Sequence, residues 1–287
     1  MDRECELRCC DCLEWMKEQP DNSVDLVFGS PPYEAARTYG IGFKKRGQEW
    51  VDWMVERVAE MQRISRGLVA MVIEGQTRNF KWSATPVLLM ADLHRAGFNL
   101  RKPPIFHRVG IPGSGGPDWL RNDFEFILCV SKGKLPWSDN VVMGHEPKWN
   151  PGGDPSHRMA NGRRVHRLHT KADADGKRQQ GYNPPAKANP GNVLHFKVGG
   201  GLLGSQLAHE NEAPFPEKLA EFFVRSFCPP GGVVLDPFSG SATTGAAAIA
   251  HGRRYIGLDV RQDQIDLGWR RIAEAKERLL EAVPCDA

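Results

Sequence analysis

The chain has 287 residues, 40% of them apolar and 25% charged, which is ordinary for a globular protein with room for a full core and roughly two domains. Its longest clearly apolar stretch, Leu68 to Ile73, is far too short to span a bilayer. The first ten residues lack the basic start and apolar run of a secretory leader, so a cytoplasmic location and no membrane partner are expected. The net charge of +3 is unevenly spread. Ten Lys and Arg face five Asp and Glu between Lys134 and Lys187, leaving the rest of the chain slightly acidic.

Seven cysteines are an odd count, and Cys5, Cys9, Cys10 and Cys12 crowd the start. Their spacing matches no common zinc pattern, and a core of this size needs no disulfide staples. Reduced thiols and no metal are expected. Asp11 and Glu14 suggest a capping box for a short helix, Cys12 to Gln19. An apolar strand, Val24-Asp25-Leu26-Val27-Phe28, then runs into Ser30-Pro31-Pro32-Tyr33. Each proline restricts itself and the residue before it, so the Ser30 hydroxyl and the Pro31 carbonyl are held as fixed acceptors. Tyr33 adds a flat face on which a planar ring can stack.

Val51, Val55, Val58, Met61 and Ile64 form one stripe of a helix from about Gln48 to Ile64. Leu68–Ile73 reads as a buried strand, and Thr85-Pro86 as the N-cap and first turn of a helix to about Ala96. Phe124–Val130 is another strand. From Gly133 to about Asn192 periodicity disappears among Gly, Pro and polar residues, which marks a functional or disordered insertion. Arg163, Arg164, Arg167, Lys171, Lys177 and Arg178 make it suited to phosphate contact. Pro216 starts a helix to about Phe227, Val233–Leu235 is a strand, and a small-residue turn leads to a helix at Thr244–Ala250. Tyr255–Leu258 is a strand, and a charged helix from Gln262 to Glu281 follows. This alternation predicts an α/β fold with a mainly parallel sheet.

The second turn, Asp236-Pro237-Phe238-Ser239-Gly240-Ser241-Ala242-Thr243, lets backbone N–H groups approach a ligand at a helix start. Asp259, about 20 residues further on at the end of the next strand, can accept both hydroxyls of a ribose. The spacing is not the dinucleotide glycine fingerprint, and no phosphate-binding lysine motif is present. A ligand with adenosine and no phosphate fits better, and S-adenosylmethionine is the candidate.

With both turns in view, the chain resembles the amino-group DNA methyltransferases of bacteria and phages. It has their β-type order, in which the catalytic tetrapeptide precedes the cofactor loop. The resemblance covers most of the chain outside about 134–190. It implies a Rossmann-like methyltransferase fold with a mainly parallel, seven-stranded sheet and helices on both faces. It divides the chain into a catalytic half (1–133), a basic insertion for target recognition (134–192) and a cofactor-binding half (193–287). It implies that Ser30, Pro31, Pro32 and Tyr33 are catalytic. Asp236 to Ser241 with Thr243 would be the methionine-side cofactor loop, and Asp259 the ribose-binding acid. Phe215-Pro216 would pack on the cofactor and Asp11 would lie near its adenine. Asn122-Asp123-Phe124-Glu125 is similar to a further shared segment. Cys10, Phe124 and Ala242 depart from the family pattern, and Ala242 stands where the loop has its second glycine.

The implied reaction moves a methyl group to the exocyclic amino group of a base flipped out of double-stranded DNA. Ser30 at the first position leans toward cytosine N4, whereas the family base rate leans slightly toward adenine N6. Arg163, Arg164 and Arg167 would touch phosphates or guanines, with the loop from Arg108 to Arg121 (Gly113, Gly115 and Gly116) as the alternative reader. The resemblance also allows a homodimer, and a restriction enzyme on another chain. Methyl transfer to RNA or to a protein glutamine, and a catalytically inactive DNA-binding protein, are the rival readings. A nicotinamide-linked oxidoreductase is disfavoured by the glycine spacing.

Overall fold

A computed structural model describes residues 4–34, 42–110, 116–148, 156–166, 185–198 and 203–281. One compact unit comprises residues 1–139 and 191–287, and a second comprises 140–190.

The first unit is built on one eight-stranded sheet. Its strands are β1 (Cys5–Cys9), β2 (Val24–Gly29), β3 (Ser65–Ile73), β6 (Ile105–Val109), β7 (Phe124–Val130), β10 (Val193–Lys197), β11 (Val233–Asp236) and β12 (Arg254–Asp259). They lie in the order β1-β12-β11-β2-β3-β7-β6-β10. Only β7 runs antiparallel to its neighbours β3 and β6; every other pairing is parallel. The sheet thus has eight strands rather than seven. Strands β1, β6 and β10 are the hard ones to read, because each buries a single residue, Leu7, Phe106 and Leu194 respectively.

Helices cover both faces, as parallel strands require. On one face α1 (Cys12–Lys17), α2 (Gly47–Ile64) and α3 (Thr85–Arg95) bury Trp15, Trp50, Met54, Met61 and Leu89 against Val27, Val69 and Leu128. On the other, α4 (Glu217–Phe227), α5 (Thr243–Ala250) and α6 (Gln262–Glu281) bury Leu219, Phe223, Ala247 and Ile272 against Phe28, Ala70 and Val234. The central strands are apolar on both sides for this reason.

Asp11 caps α1 as its sequence implies, accepting from the backbone of Leu13 and Glu14. Thr85 does not cap α3. Its hydroxyl is fully buried and donates to the Glu34 carboxylate at 3.3 Å, so the cap falls to Ala84 in a left-handed conformation. Between β3 and α3 lies a small hairpin, β4 (Thr77–Arg78) with β5 (Lys81–Trp82).

In the second unit β8 (Ser156–Arg158) pairs with β9 (Arg164–His166) as an antiparallel hairpin. Its turn closes through Met159 and Arg163, where Gly162 has φ +81°. The 133–192 stretch thus carries a short hairpin, although no hydrophobic period announces it. Across the described residues no helix is long and apolar enough to cross a membrane.

Candidate functional site

Parallel strands β2, β3, β11 and β12 all end at the same edge of the sheet, where open α/β folds gather their ligands. Ser30-Pro31-Pro32-Tyr33 leaves β2 there, and Asp236 leaves the adjacent β11. The two turns meet at Gly29: a Cβ on it would stand 2.2 Å from the Asp236 carboxylate. Glycine at 29 lets the two strand ends close up.

Side chains from distant elements hold the first turn. Ser30 Oγ lies 3.1 Å from the Val72 carbonyl and 3.3 Å from the Tyr33 hydroxyl. A carbonyl only accepts, so the single Ser30 proton goes to Val72 and the oxygen keeps its lone pairs for an incoming donor. Tyr33 in turn donates to Glu125 Oε2 at 2.8 Å, and Arg108 pairs with the other Glu125 oxygen at 3.1 Å. Trp50 Nε1 donates to the Pro32 carbonyl at 2.9 Å. The buried Glu34 carboxylate accepts from the backbone of Gly47 and Gln76 and from Thr85, tying the turn to α2, the hairpin and α3.

The second turn is held by its own backbone and its nearest strand. Phe238 N–H donates to Asp236, Ser239 N–H to the Leu258 carbonyl and Ala242 N–H to the Ser239 carbonyl. Gly240 (φ +48°) and Ala242 (φ +57°) both take left-handed backbone. Asp259 accepts from the Gly240 and Arg261 N–H groups at 3.0 and 2.9 Å, which fixes its carboxylate. Burial pushes both acids upward, Asp236 to about 7, while the donated amides oppose the shift.

One cavity of about 810 Å³ joins the two turns, within the ordinary size of a small-molecule site. Ser30, Pro31, Pro32 and Tyr33 line it, and so do Asp11, Phe215, Pro216, Pro237, Phe238, Ser239, Gly240, Thr243 and Asp259. Asp236 and Ser241 are buried beneath it and do not line it. Arg163 and Arg164 are exposed at the β8–β9 turn, while Arg167, Lys171, Lys177 and Arg178 lie outside the described residues.

Other lining residues carried no motif signal. Phe43 and Trp53 complete an aromatic wall with Phe238 of the second turn, Trp53 standing 5.0 Å from Phe43 and 5.7 Å from Phe238. Arg57 lies 4.0 Å over the Trp53 ring and pairs with Asp11 at 3.2 Å. Its partner sits 46 positions away, so no local pattern could reveal it. The fully buried Arg271 bonds Thr243 Oγ1 and pairs with Glu217 at 3.1 Å, bracing the helix that follows the second turn. Glu217 follows Phe215-Pro216 directly, so that motif is braced by α6. Among the described residues no cluster of acids, histidines and cysteines could hold a metal ion, and six cysteines are free thiols.

The residues suit an adenosine-bearing ligand: a fixed carboxylate for paired hydroxyls, an aromatic wall for a flat ring, and close backbone at Gly240. A family described as DNA methylase matches residues 24–269. DNA adenine methyltransferase YhdJ of Escherichia coli K12 is 28% identical over 270 residues, covering 91% of this chain and 80% of its own. Orphan methyltransferase M.BamHII of Bacillus amyloliquefaciens is 28% identical over 267 residues, covering 90% and 92%. Among solved structures, PvuII DNA methyltransferase, named as cytosine-N4-specific, superposes with a TM-score of 0.65 at 19% identity, over 97% of this chain and 93% of that one. The M1.HpyAVI complex with S-adenosylmethionine gives 0.53 at 16% identity, over 93% and 99%. At such identities the structural likeness speaks for the fold.

Proposed function

Since this chain belongs to the DNA methylase family acting on adenine N6 and cytosine N4, we propose that the cavity joining its two turns is where a flipped base meets the methyl donor. The observation that carries this reading is that Ser30 to Tyr33 and Asp259 with Phe238 to Gly240 line the same space. S-adenosylmethionine, the cofactor of this DNA methyltransferase, supplies a sulfonium methyl that is already electrophilic. Positioning is therefore most of what the protein adds.

Asp259 would hold the ribose hydroxyls, Asp11 and the aromatic wall the adenine end, and the 237–240 backbone the methionine end. Arg57, neutralised by Asp11, keeps that acid oriented. On the base side, the free lone pairs of Ser30 Oγ and the Pro31 carbonyl accept the two N–H bonds of the exocyclic amine. That draws electron density onto a nitrogen otherwise delocalised into its ring. Tyr33 stacks on the base, contributing about 1–3 kcal/mol against the few kcal/mol that flipping costs. The proton leaves a nitrogen that has become cationic, so the turn needs no strong base. The basic 134–192 segment, with Arg163 and Arg164 exposed on its hairpin, is assigned to double-stranded DNA and its sequence.

Adenine N6 is the proposed target; Ser30 favours cytosine N4 as the second reading. Mass spectrometry of nucleosides from treated DNA separates the two by product mass. Isothermal titration and methyl-transfer assays test the cavity itself. Tyr33→Ala should bind S-adenosylmethionine normally and lose roughly 100-fold or more in transfer, and Asp259→Ala should weaken cofactor binding. Exchanged outcomes would reverse the assignment of the two turns.

A further inference from the structure

The β4–β5 hairpin is the most conspicuous structure at this end of the sheet that the reaction leaves unused. It follows the C-terminal end of β3, the strand hydrogen-bonded to β2, so it stands one strand over from Ser30. Its two-residue tip is Asn79-Phe80, with φ of +50° and +60°. Tips of this kind favour Asn-Gly, because a second residue without a Cβ accepts positive φ at no cost. Phenylalanine here carries a backbone penalty that glycine would avoid. Burial does not compensate, since Phe80 is 79% exposed. Arg78 and Lys81 flank it, both exposed, and neither makes an ion pair with any described residue.

Below its tip the hairpin is rigid. Ser83 N–H donates to the Gln76 carbonyl and closes its base. Trp82 stacks near Phe126 at 6.3 Å and donates to the Glu74 carboxylate, while Gly75 leaves room for the indole: a Cβ there would lie 2.5 Å from Trp82 Nε1. The Glu34 carboxylate, one residue past Tyr33, accepts from Gln76 N–H at 3.0 Å. A hydrogen-bonded stem thus joins the turn that receives the base to an exposed aromatic ring between two exposed cations, Arg78 and Lys81.

We infer that this hairpin is a duplex wedge: Phe80 enters the base stack beside the target nucleotide while Arg78 and Lys81 hold the flanking phosphates. The inference rests on the base-flipping reading of the cavity. A flipped base leaves a gap in the stack, and an apolar side chain filling it offsets the few kcal/mol of unstacking. The two cations add the sequence-independent attraction that any DNA contact uses.

The test uses duplexes containing the chain's own methylation site, mapped by modification-sensitive sequencing, with the target base either paired or mispaired. Phe80→Ala should lose about 10-fold or more in transfer rate on the paired duplex, equivalent to about 1.4 kcal/mol. On the mispaired duplex, where opening costs little, the loss should be under about 2-fold. Phe80→Leu should recover much of the paired-duplex rate, and Arg78→Ala with Lys81→Ala should flatten the salt dependence of binding. Equal losses on both duplexes, or none on either, would overturn the wedge, as would a change of oligomeric state in Phe80→Ala, which would assign the tip to a contact between copies. Because the wild-type protein is measured on both duplexes, absence of any transfer would fault the cavity reading instead.

Discussion

Two turns leave adjacent strands at the same edge of the sheet, yet they are held by opposite means. The turn after β2 is fixed by side chains reaching across the fold, from Trp50, Glu125 and Thr85, and by the Gln76 N–H donated to the Glu34 carboxylate. The turn after β11 is fixed by its own amides and by the near absence of bulk, with Gly240 and Ala242 in left-handed backbone. The first should be sensitive to side-chain deletions made far away, and the second to small changes of charge or volume within it. The difference matches what the proposed function asks of each: oriented acceptors for a base from the first, and close main chain for a flexible ligand from the second.

Asp236 is where the second turn is most exposed to a change of charge. Its buried carboxyl titrates near 7 in the folded protein against 3.8 ordinarily. Between those values the unfolded chain releases its proton while the folded chain retains it. Stability must therefore fall as pH rises from about 4 to about 7, by at most about 4 kcal/mol from this group, and level off above. Asp236→Asn keeps an acceptor for Phe238 N–H and removes the titration. Urea melts should show the variant gaining on the wild type across that pH window. A constant difference between the two would mean the acid is ionised in the fold, and the contrast between the turns would weaken.

The second prediction strikes the junction of the two turns. Gly29→Ala places a methyl 2.2 Å from a carboxylate that is itself boxed in. Overpacking of that severity costs about 3 kcal/mol. The denaturation midpoint should drop accordingly, and both cofactor binding and transfer should suffer because neither turn can move alone. A third prediction separates the turns. Glu125→Ala removes the acceptor of the Tyr33 hydroxyl and leaves Arg108 without its carboxylate. Methyl transfer should fall about 10-fold while S-adenosylmethionine affinity stays unchanged, since the partners that Glu125 holds, Tyr33 and Arg108, belong to the base side of the cavity. An equal loss in binding would show that the two halves of the cavity are mechanically coupled.

These contrasts also explain which parts were legible in the chain. Local patterns exposed the second turn well: Asp236 to Gly245 is a strand end, a small-residue turn and a helix start in one run. The helix over 262–281 and the strand over 124–130 are read residue for residue, because each carries its whole period locally. The first turn showed its four residues but not what orients them. Glu125 lies 92 positions from Tyr33, and Trp50 lies 18 from Pro32. Strands β1, β6 and β10 stay hidden because a strand with one buried residue carries almost no alternation. Thr85 misled for a related reason: a threonine before proline is a good cap locally, but a buried carboxylate 51 positions away claims its hydroxyl.

The smallest effect tests whether the second turn is at its conformational optimum. Ala242 occupies φ +57°, ψ +41° as the N-cap of α5, where a side chain costs on the order of 1 kcal/mol relative to glycine. Its methyl is fully buried, and deleting it forfeits about 0.8 kcal/mol of burial. Glycine also raises the entropy of the unfolded chain by an amount worth 0.4 to about 1 kcal/mol. The gain and the two losses nearly cancel, so Ala242→Gly should change stability by less than about 1 kcal/mol, on the destabilising side, with cofactor affinity unchanged. A clear rise in the melting midpoint together with tighter S-adenosylmethionine binding would mean that the alanine distorts the loop. In that case the small-residue turn would be working under strain that its own backbone bonds do not relieve.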